Sequence, residues 1–155
     1  GAMLTATEGQ AVSVEGVLST VNGERQVNAA VVTPKPVAPE SVAPFWMALA
    51  GLGGASLGNY TPGVDFARGP HNIGLLIKTG GRIVERGPNY FYLHDGTTVH
   101  DPDPLMLRVK VVCPAGVSVP LDDMVIVTGI SSIEPEGDGY VRRVLLRKSA
   151  DIEPY

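Results

Sequence analysis

The sequence is poor in cysteine and in charge, and it has no long apolar run. Its 155 residues include one cysteine, and only 18% of them are charged. A single cysteine excludes a framework of intrachain disulfides, and no stretch reaches the roughly 18 continuous apolar residues of a transmembrane helix. The net charge of −4 argues against bulk electrostatic binding of nucleic acid, although it leaves a local basic face open.

Signatures of catalysis are missing as well. The chain has no Gly-x-Ser-x-Gly, no phosphate-binding loop and no His-Glu-x-x-His, and no His or Asp motif frames Cys113 in the run VKVVC. The stretch GLGG at 51–54 has neither a strand before it nor a helix after it. We therefore predict a protein that is not an enzyme and needs no cofactor, with Cys113 as an inert core residue.

Glycine and proline, by contrast, are plentiful. The 19 Gly and 13 Pro residues separate many short runs of Val, Ile and Leu, a composition typical of all-β proteins. The first predicted strand after position 73 contains Gly80-Gly81, where we expect a bulge or a sharp coil. A long coiled first strand and four further strands are the order of an OB-fold, a five-stranded Greek-key barrel. The five predicted strands lie in GLLIKTGGRIVERG, NYFYLHDG, LMLRVKVVC, MVIVTGISSI and GYVRRVLLRKSADI.

The N-terminal part predicts a β-hairpin. Val12 and Val14 alternate with polar residues, and Asn22-Gly23 is a strong signal for a two-residue hairpin turn. Between this hairpin and the barrel lies a segment rich in Pro, Gly and Ala, which we expect to be pinned to the sheet because a long free loop is uncommon in a compact domain. The predicted units are a hairpin at 4–33, a connector at 34–72 and a barrel at 73–153. The expected anchors of the connector are Phe45, Trp46, Leu49 and Leu57.

The hairpin also resembles the last two strands of the barrel. The stretch AVSVEGVLSTVNGERQV has nearly the same pattern as VIVTGISSIEPEGDGYV, and this agreement indicates either an internal repeat or the chance likeness of short hairpins. The aligned pairs are Val12 with Val125, Val14 with Val127, Gly16 with Gly129 and Ser19 with Ser132.

Three motifs carry a resemblance to a known kind of module. They are Asn72-Ile73-Gly74-Leu75-Leu76 with Gly81-Arg82-Ile83, Tyr90-Phe91-Tyr92-Leu93 with Asp95-Gly96, and Val12–Gly16 with Asn22-Gly23-Glu24-Arg25. Together they resemble the OB-fold modules of large secreted or cell-surface bacterial proteins. The resemblance covers most of 9–150 and implies a secreted binding or spacer module. His94 and the run at 98–104 depart from its pattern, and the motifs identify a scaffold rather than a reaction.

The second and third barrel strands could form a ligand-binding face. Tyr90 and Tyr92 share one side of their strand, and Arg108 and Lys110 share one side of the next. Aromatic rings stack on bases or sugars and cations hold phosphates, so these four residues, bordered by Arg82, could bind single-stranded nucleic acid or an oligosaccharide. The alternative is a solvated strand face with ordinary cross-strand pairs.

A polar loop offers a second candidate site. Imidazole and carboxylate side chains at this density could hold a divalent cation, but their spacing matches no known metal-binding motif, so an ordinary polar loop stays open as the alternative. The candidate ligands are His94, Asp95, His100, Asp101 and Asp103.

These observations lead to one expected function. We predict a non-catalytic binding or assembly module of a secreted or cell-surface bacterial protein, which joins other domains of the same protein or a second subunit. The hairpin has an edge that could pair with another chain, so a homodimer through the hairpin, or an exchange of strands, is one form that this assembly could take. Gly1-Ala2-Met3 is typical of the remnant of a cleaved tag, and we expect the native N-terminus to lie elsewhere.

Overall fold

The computed structural model of the chain describes residues 6–65, 67, 69–96 and 108–155. Within these ranges the chain forms nine strands and two short 3-10 turns, and it has no helix that is long and apolar enough to cross a membrane. The strands are β1 (Val12–Val21), β2 (Glu24–Pro34), β3 (Phe45–Trp46), β4 (Leu76–Arg86), β5 (Tyr90–His94), β6 (Val109–Val112), β7 (Met124–Glu136), β8 (Gly139–Leu145) and β9 (Ile152–Pro154).

Five of these strands close into a ring. The order β4-β5-β6-β8-β7 returns to β4 through a direct β4–β7 pairing, and every neighbour in the ring is antiparallel except for the parallel pair β6–β8. Two short strands extend the sheet outside the ring, β3 beside β4 and β9 beside β7. The predicted all-β class, with a hairpin and a barrel-like closed sheet, is confirmed.

The inside of the ring is filled by alternate residues of each strand. Burial alternates along β5 and β6, as expected where one face of a strand meets the core and the other does not. Cys113 belongs to this core, and burial raises the pKa of its thiol to about 11, so the thiol stays protonated at neutral pH. The main core residues are Ile77, Ile83, Phe91, Leu93, Val109, Val111, Val125, Val127 and Val144.

The long strand β4 serves two neighbours in turn. Residues 76–82 pair with β7, and residues from Arg82 onward pair with β5. The register shift lies between Ile83 and Glu85 rather than at the predicted Gly80-Gly81. Gly81 is needed for close approach, because a Cβ there would lie 2.9 Å from the carbonyl oxygen of His94.

The connector is held by different residues from those expected. Leu49 is buried, but Phe45, Trp46 and Leu57 are more than 60% exposed, so three of the four predicted anchors are wrong. Phe45 and Trp46 fail as anchors because they form the edge strand β3, which joins β4 through its backbone and leaves both side chains outside. The buried side chains of the connector include those of Leu49, Leu52, Val64 and Asn72.

Asn72 provides the polar part of this anchor. Its side-chain oxygen accepts hydrogen bonds from the Gly53 N–H (2.8 Å) and the Ser131 hydroxyl (2.7 Å). Its side-chain nitrogen donates to the carbonyls of Gly51 (2.7 Å) and Pro70 (3.1 Å). All four bonds that an amide side chain can make are therefore formed, and they join two parts of the connector to β7.

Candidate functional site

The outer face of β5 and β6 brings together three of the predicted ligand residues. Tyr92 and Lys110 are direct partners in the β5–β6 ladder. The rings of Tyr90 and Tyr92 meet edge to face with centroids 5.7 Å apart. The Lys110 ammonium lies 5.2 Å from the centroid of the Tyr90 ring, within the range of a cation–π interaction.

The cations of this face are already paired with carboxylates. Lys110 Nζ lies 2.8 Å from Glu134 Oε1, and Arg143 Nη1 lies 3.6 Å from Glu134 Oε2. The hydrogen bond with Glu134 raises the pKa of Lys110. Burial, the largest cause, raises the pKa of Tyr92, so both residues keep their usual charge at neutral pH.

The remaining predicted residues lie along the same side of the sheet. Arg108 contacts Glu85 at 3.2 Å between Nη1 and Oε2. Arg82 is exposed on β4, opposite His94 in the β4–β5 ladder. On β8, Arg142 is buried and donates to the Ala50 carbonyl, whereas Arg143 lies on the outer face beside Glu134.

This arrangement is chemically a self-contained polar network. A stacking platform needs open ring faces and cations without a carboxylate partner, whereas here one ring face carries Lys110 and both nearby cations contact Glu134. Glu134 is not among the residues predicted for this face. Its ion pair with Lys110 forms because β6 and β8 are parallel neighbours in the sheet. The local sequence does not specify that strand pairing.

The predicted metal site is only partly within the described residues. His94 accepts a hydrogen bond at Nδ1 from the Gly96 N–H (3.0 Å), and Asp95 follows it at the end of β5. His100, Asp101 and Asp103 lie outside the described residues. In the part of the chain that the structure describes, no three His, Cys, Asp or Glu side chains are grouped closely enough to hold a metal ion.

The hairpin forms a separate two-stranded sheet. Asn22 and Gly23 both have positive φ, 51° and 80°, which is the geometry of a type I′ turn and confirms the predicted turn. Among the described residues, neither β1 nor β2 pairs with any other strand.

The two faces of this hairpin differ in composition: one holds the larger apolar cluster, whereas the other mixes polar residues with the exposed Val17, Val21 and Val31. Leu18 lies opposite Val27 and Val14 lies opposite Val32 on one face, whereas Ser19 lies opposite Gln26 and Ser13 opposite Thr33 on the other. Yet Val14 is 45% exposed and Leu18 is 63% exposed. We call this side the apolar hairpin face. It consists of Val12, Val14, Leu18, Val27, Ala29 and Val32.

Within the described residues, the polar contacts that hold the hairpin to the barrel lie at its two ends. At the tip, the Glu24 carboxylate accepts hydrogen bonds from the Ser132 hydroxyl (2.6 Å) and the Ile133 N–H (3.0 Å). At the base, Glu8 contacts Arg147 at 2.8 Å and Lys148 at 3.1 Å. A groove of about 830 Å³ lies between the base segments and the wall formed by β4 and β7. The middle of the apolar hairpin face is therefore left in solvent.

Sequence reasoning missed this face, although the signal was present. The two-residue turn fixes the register as far as Gly16 and Ala29 and so places Leu18 opposite Val27, and the register shift after Glu15 then brings Val14 opposite Val32. Period-2 alternation shows which residues of one strand lie on the same face. It does not show which residues of the neighbouring strand lie on that face with them.

Comparison of the chain with protein-family models, with curated proteins and with solved structures finds no match in any of the three.

Proposed function

We propose that this protein is a non-catalytic assembly module that joins another protein or module through its N-terminal hairpin. The observation that carries the proposal is the exposed apolar hairpin face. An isolated two-stranded hairpin is marginally stable in water, and an exposed apolar surface rimmed by polar residues is typical of an interaction site. The contacts of Glu24 at the tip and of Glu8 at the base hold this surface in position.

The barrel serves as the scaffold of this module. We propose an OB-fold for it, supported by the ring order β4-β5-β6-β8-β7 and by the parallel pair β6–β8. The resemblance to OB-fold modules of secreted and cell-surface bacterial proteins supports an extracellular location for the assembly.

Ligand binding by the Tyr90–Lys110 face is the weaker candidate. What favours it is the shared outer face of Tyr90, Tyr92, Lys110 and Arg108. What disfavours it is that the structure pairs each of the two cations with a carboxylate.

Site-specific photocrosslinking in cells that make the protein tests the assembly role. A benzophenone side chain at position 18 lies on the apolar hairpin face, and the same group at position 17 lies on the opposite face, so the two positions form a matched pair. We expect adducts of higher mass from position 18 and none from position 17. No adduct from either position, or equal adducts from both, would overturn the proposed function.

A further inference from the structure

The hairpin and the barrel's closing strands have the same pairing register. Leu18 pairs with Val27 as Ser131 pairs with Val144, and Thr20 pairs with Arg25 as Ile133 pairs with Arg142. With these pairs superimposed, the hairpin residues fall on the positions that the sequence repeat assigns to them. The two differ at the turn, where β7 and β8 pair further, to Glu136 and Gly139, before the chain reverses.

A glycine in the middle of β1 and a glycine in the middle of β7 each lie close to the backbone of the neighbouring strand. A Cβ on Gly16 would collide with the carbonyl of Asn28, and a Cβ on Gly129 would lie 2.7 Å from the carbonyl oxygen of Leu145. In the shared register Asn28 and Leu145 are equivalent residues. Both glycines are therefore required where the two strands cross at short range.

The likeness continues beyond this glycine into β9. The register of β1 shifts after Glu15, and beyond the shift Val14 pairs with Val32 and Val12 with Pro34. In the barrel, Val127 pairs with Ile152 and Val125 with Pro154. Each unit then ends on the same backbone hydrogen bond, from Lys35 N–H to Ala11 C=O (2.8 Å) and from Tyr155 N–H to Met124 C=O (3.2 Å). Residues 11–35 thus reproduce the whole of 124–155, with β2 standing in for β8 and β9 together.

The equivalent faces have opposite exposure. Val14 and Val27, at 45% and 46% exposure, correspond to Val127 and Val144, which are completely buried inside the ring. The apolar hairpin face is thus equivalent to the core-facing side of a closing unit, and it has no core to face.

A second copy of the chain would leave the hairpin edges unpaired. Its own hairpin could lie against the apolar hairpin face, but that stacking pairs no backbone edge of either hairpin. A second copy has also used its own β4–β6 to close its own ring. A free sheet of three strands would bury the face and pair both hairpin edges as well.

From these correspondences we propose that residues 11–35 are the closing unit of a second five-stranded barrel, whose other three strands form a sheet like β4–β6 in a neighbouring module. Strand β1 pairs antiparallel with the first of these strands, as β7 does with β4, and β2 pairs parallel with the third, as β8 does with β6. This inference rests on the assembly role proposed above and specifies its partner.

A fusion protein tests the inference with a defined probe, the β4–β6 segment of this chain. Residues 69–123 are placed directly in front of Ala11, so that Asp123 precedes Ala11 as it precedes Met124 in the barrel. The covalent link removes the cost of finding a partner in solution. We expect the backbone amides of β1 and β2 to exchange hydrogen at least about 100-fold more slowly than in a chain that starts at Ala11 and therefore also lacks Glu8.

Two variants of the fusion distinguish closure of a barrel from non-specific hydrophobic contact. Val14→Asp places a charge on the apolar hairpin face, and Val17→Asp places the same charge on the opposite face, where Val17 is 72% exposed. Val14→Asp should abolish the added protection and Val17→Asp should retain it. Protection of the β7 and β8 amides, which occur only once in the fusion, reports in the same spectra that the original barrel is folded.

The outcomes distinguish the partner from the role. Hairpin amides that stay unprotected in the fusion, while photocrosslinking from position 18 succeeds, would overturn the three-stranded partner and leave the assembly role standing. A dimer of the unmodified chain in sedimentation, lost with Val14→Asp and kept with Val17→Asp, would overturn it in favour of a second copy. Equal loss of protection in both fusion variants would contradict the assigned faces.

Discussion

Asp151 ties the end of β8 to the start of β9. This carboxylate is only 3% exposed and accepts hydrogen bonds from the Arg147 side chain and from the N–H groups of Arg147 and Lys148. Burial alone would raise its pKa, but these hydrogen bonds outweigh burial and lower the pKa. The ionised form is therefore the one that the fold selects.

The pH dependence of stability follows from this shift. Because the folded-state pKa lies below the roughly 3.9 of an unfolded chain, the bonds stabilise the fold fully above that value. The stabilisation disappears as the pH falls through the folded-state pKa. We expect Asp151→Asn to lower the free energy of unfolding by about 2 kcal/mol at pH 7, with the difference shrinking towards pH 2.

Denaturant unfolding at several pH values measures this effect. Glu153→Gln is a suitable control, because Glu153 pairs with Lys78 but its side chain is 49% exposed, and exposed pairs contribute little. A deficit of Asp151→Asn that stays constant from pH 7 to pH 2 would contradict the role of the ionised carboxylate.

Tyr92 decides between the two interpretations of the outer face. Because Lys110 and Arg143 are held by Glu134, we expect no saturable binding of oligothymidine or of oligosaccharides, even at about 50 mM salt where phosphate contacts are strongest. Titration followed by fluorescence anisotropy checks this. Binding that weakens with salt and is lost in Tyr92→Ala would restore the ligand-binding alternative.

Among the structural elements, the connector depends on one amide. Replacing Asn72 with Ala leaves the Gly53 N–H, the Ser131 hydroxyl and two carbonyls without this partner. Unsatisfied buried groups are costly, so we expect Asn72→Ala to lower the free energy of unfolding by about 3 kcal/mol.

Thermal and denaturant unfolding test this expectation against a second asparagine. Asn28 lies on the exposed hairpin, where it accepts a hydrogen bond from Gln26, and Asn28→Ala should change stability little. Equal effects of the two substitutions would show that the connector is not fastened at Asn72.

At the scale of the whole molecule, local patterns predicted the strands well. Alternation in YFYLH and VKVV and the Asn22-Gly23 turn depend on neighbouring residues alone, and each element formed where it was expected. The same holds for the outer face, because the side of the strand that Tyr90 and Tyr92 share follows from strand period.

Predictions that needed long-range pairing fared worse. Phe45 and Trp46 are large and apolar, and only their backbone pairing with β4 shows why they lie outside. The partner of Lys110 is Glu134, which reaches it across the β6–β8 pair. The spacing of apolar residues along a strand predicts which of its side chains are buried. Contacts between segments that are distant in sequence depend on how the barrel closes.

The equivalence of 11–35 with 124–155 has a consequence for how such a chain is divided. A boundary drawn around the compact barrel falls within the connector, and a boundary drawn by repeating sequence falls after each closing unit. The sequence repeat and the folded barrel therefore coincide only when the boundary is drawn just before β4, so that each unit runs from a β4-like strand to the end of its closing unit. If residues 11–35 close a second barrel as proposed, a boundary drawn elsewhere separates the three other strands of that barrel from their closing unit.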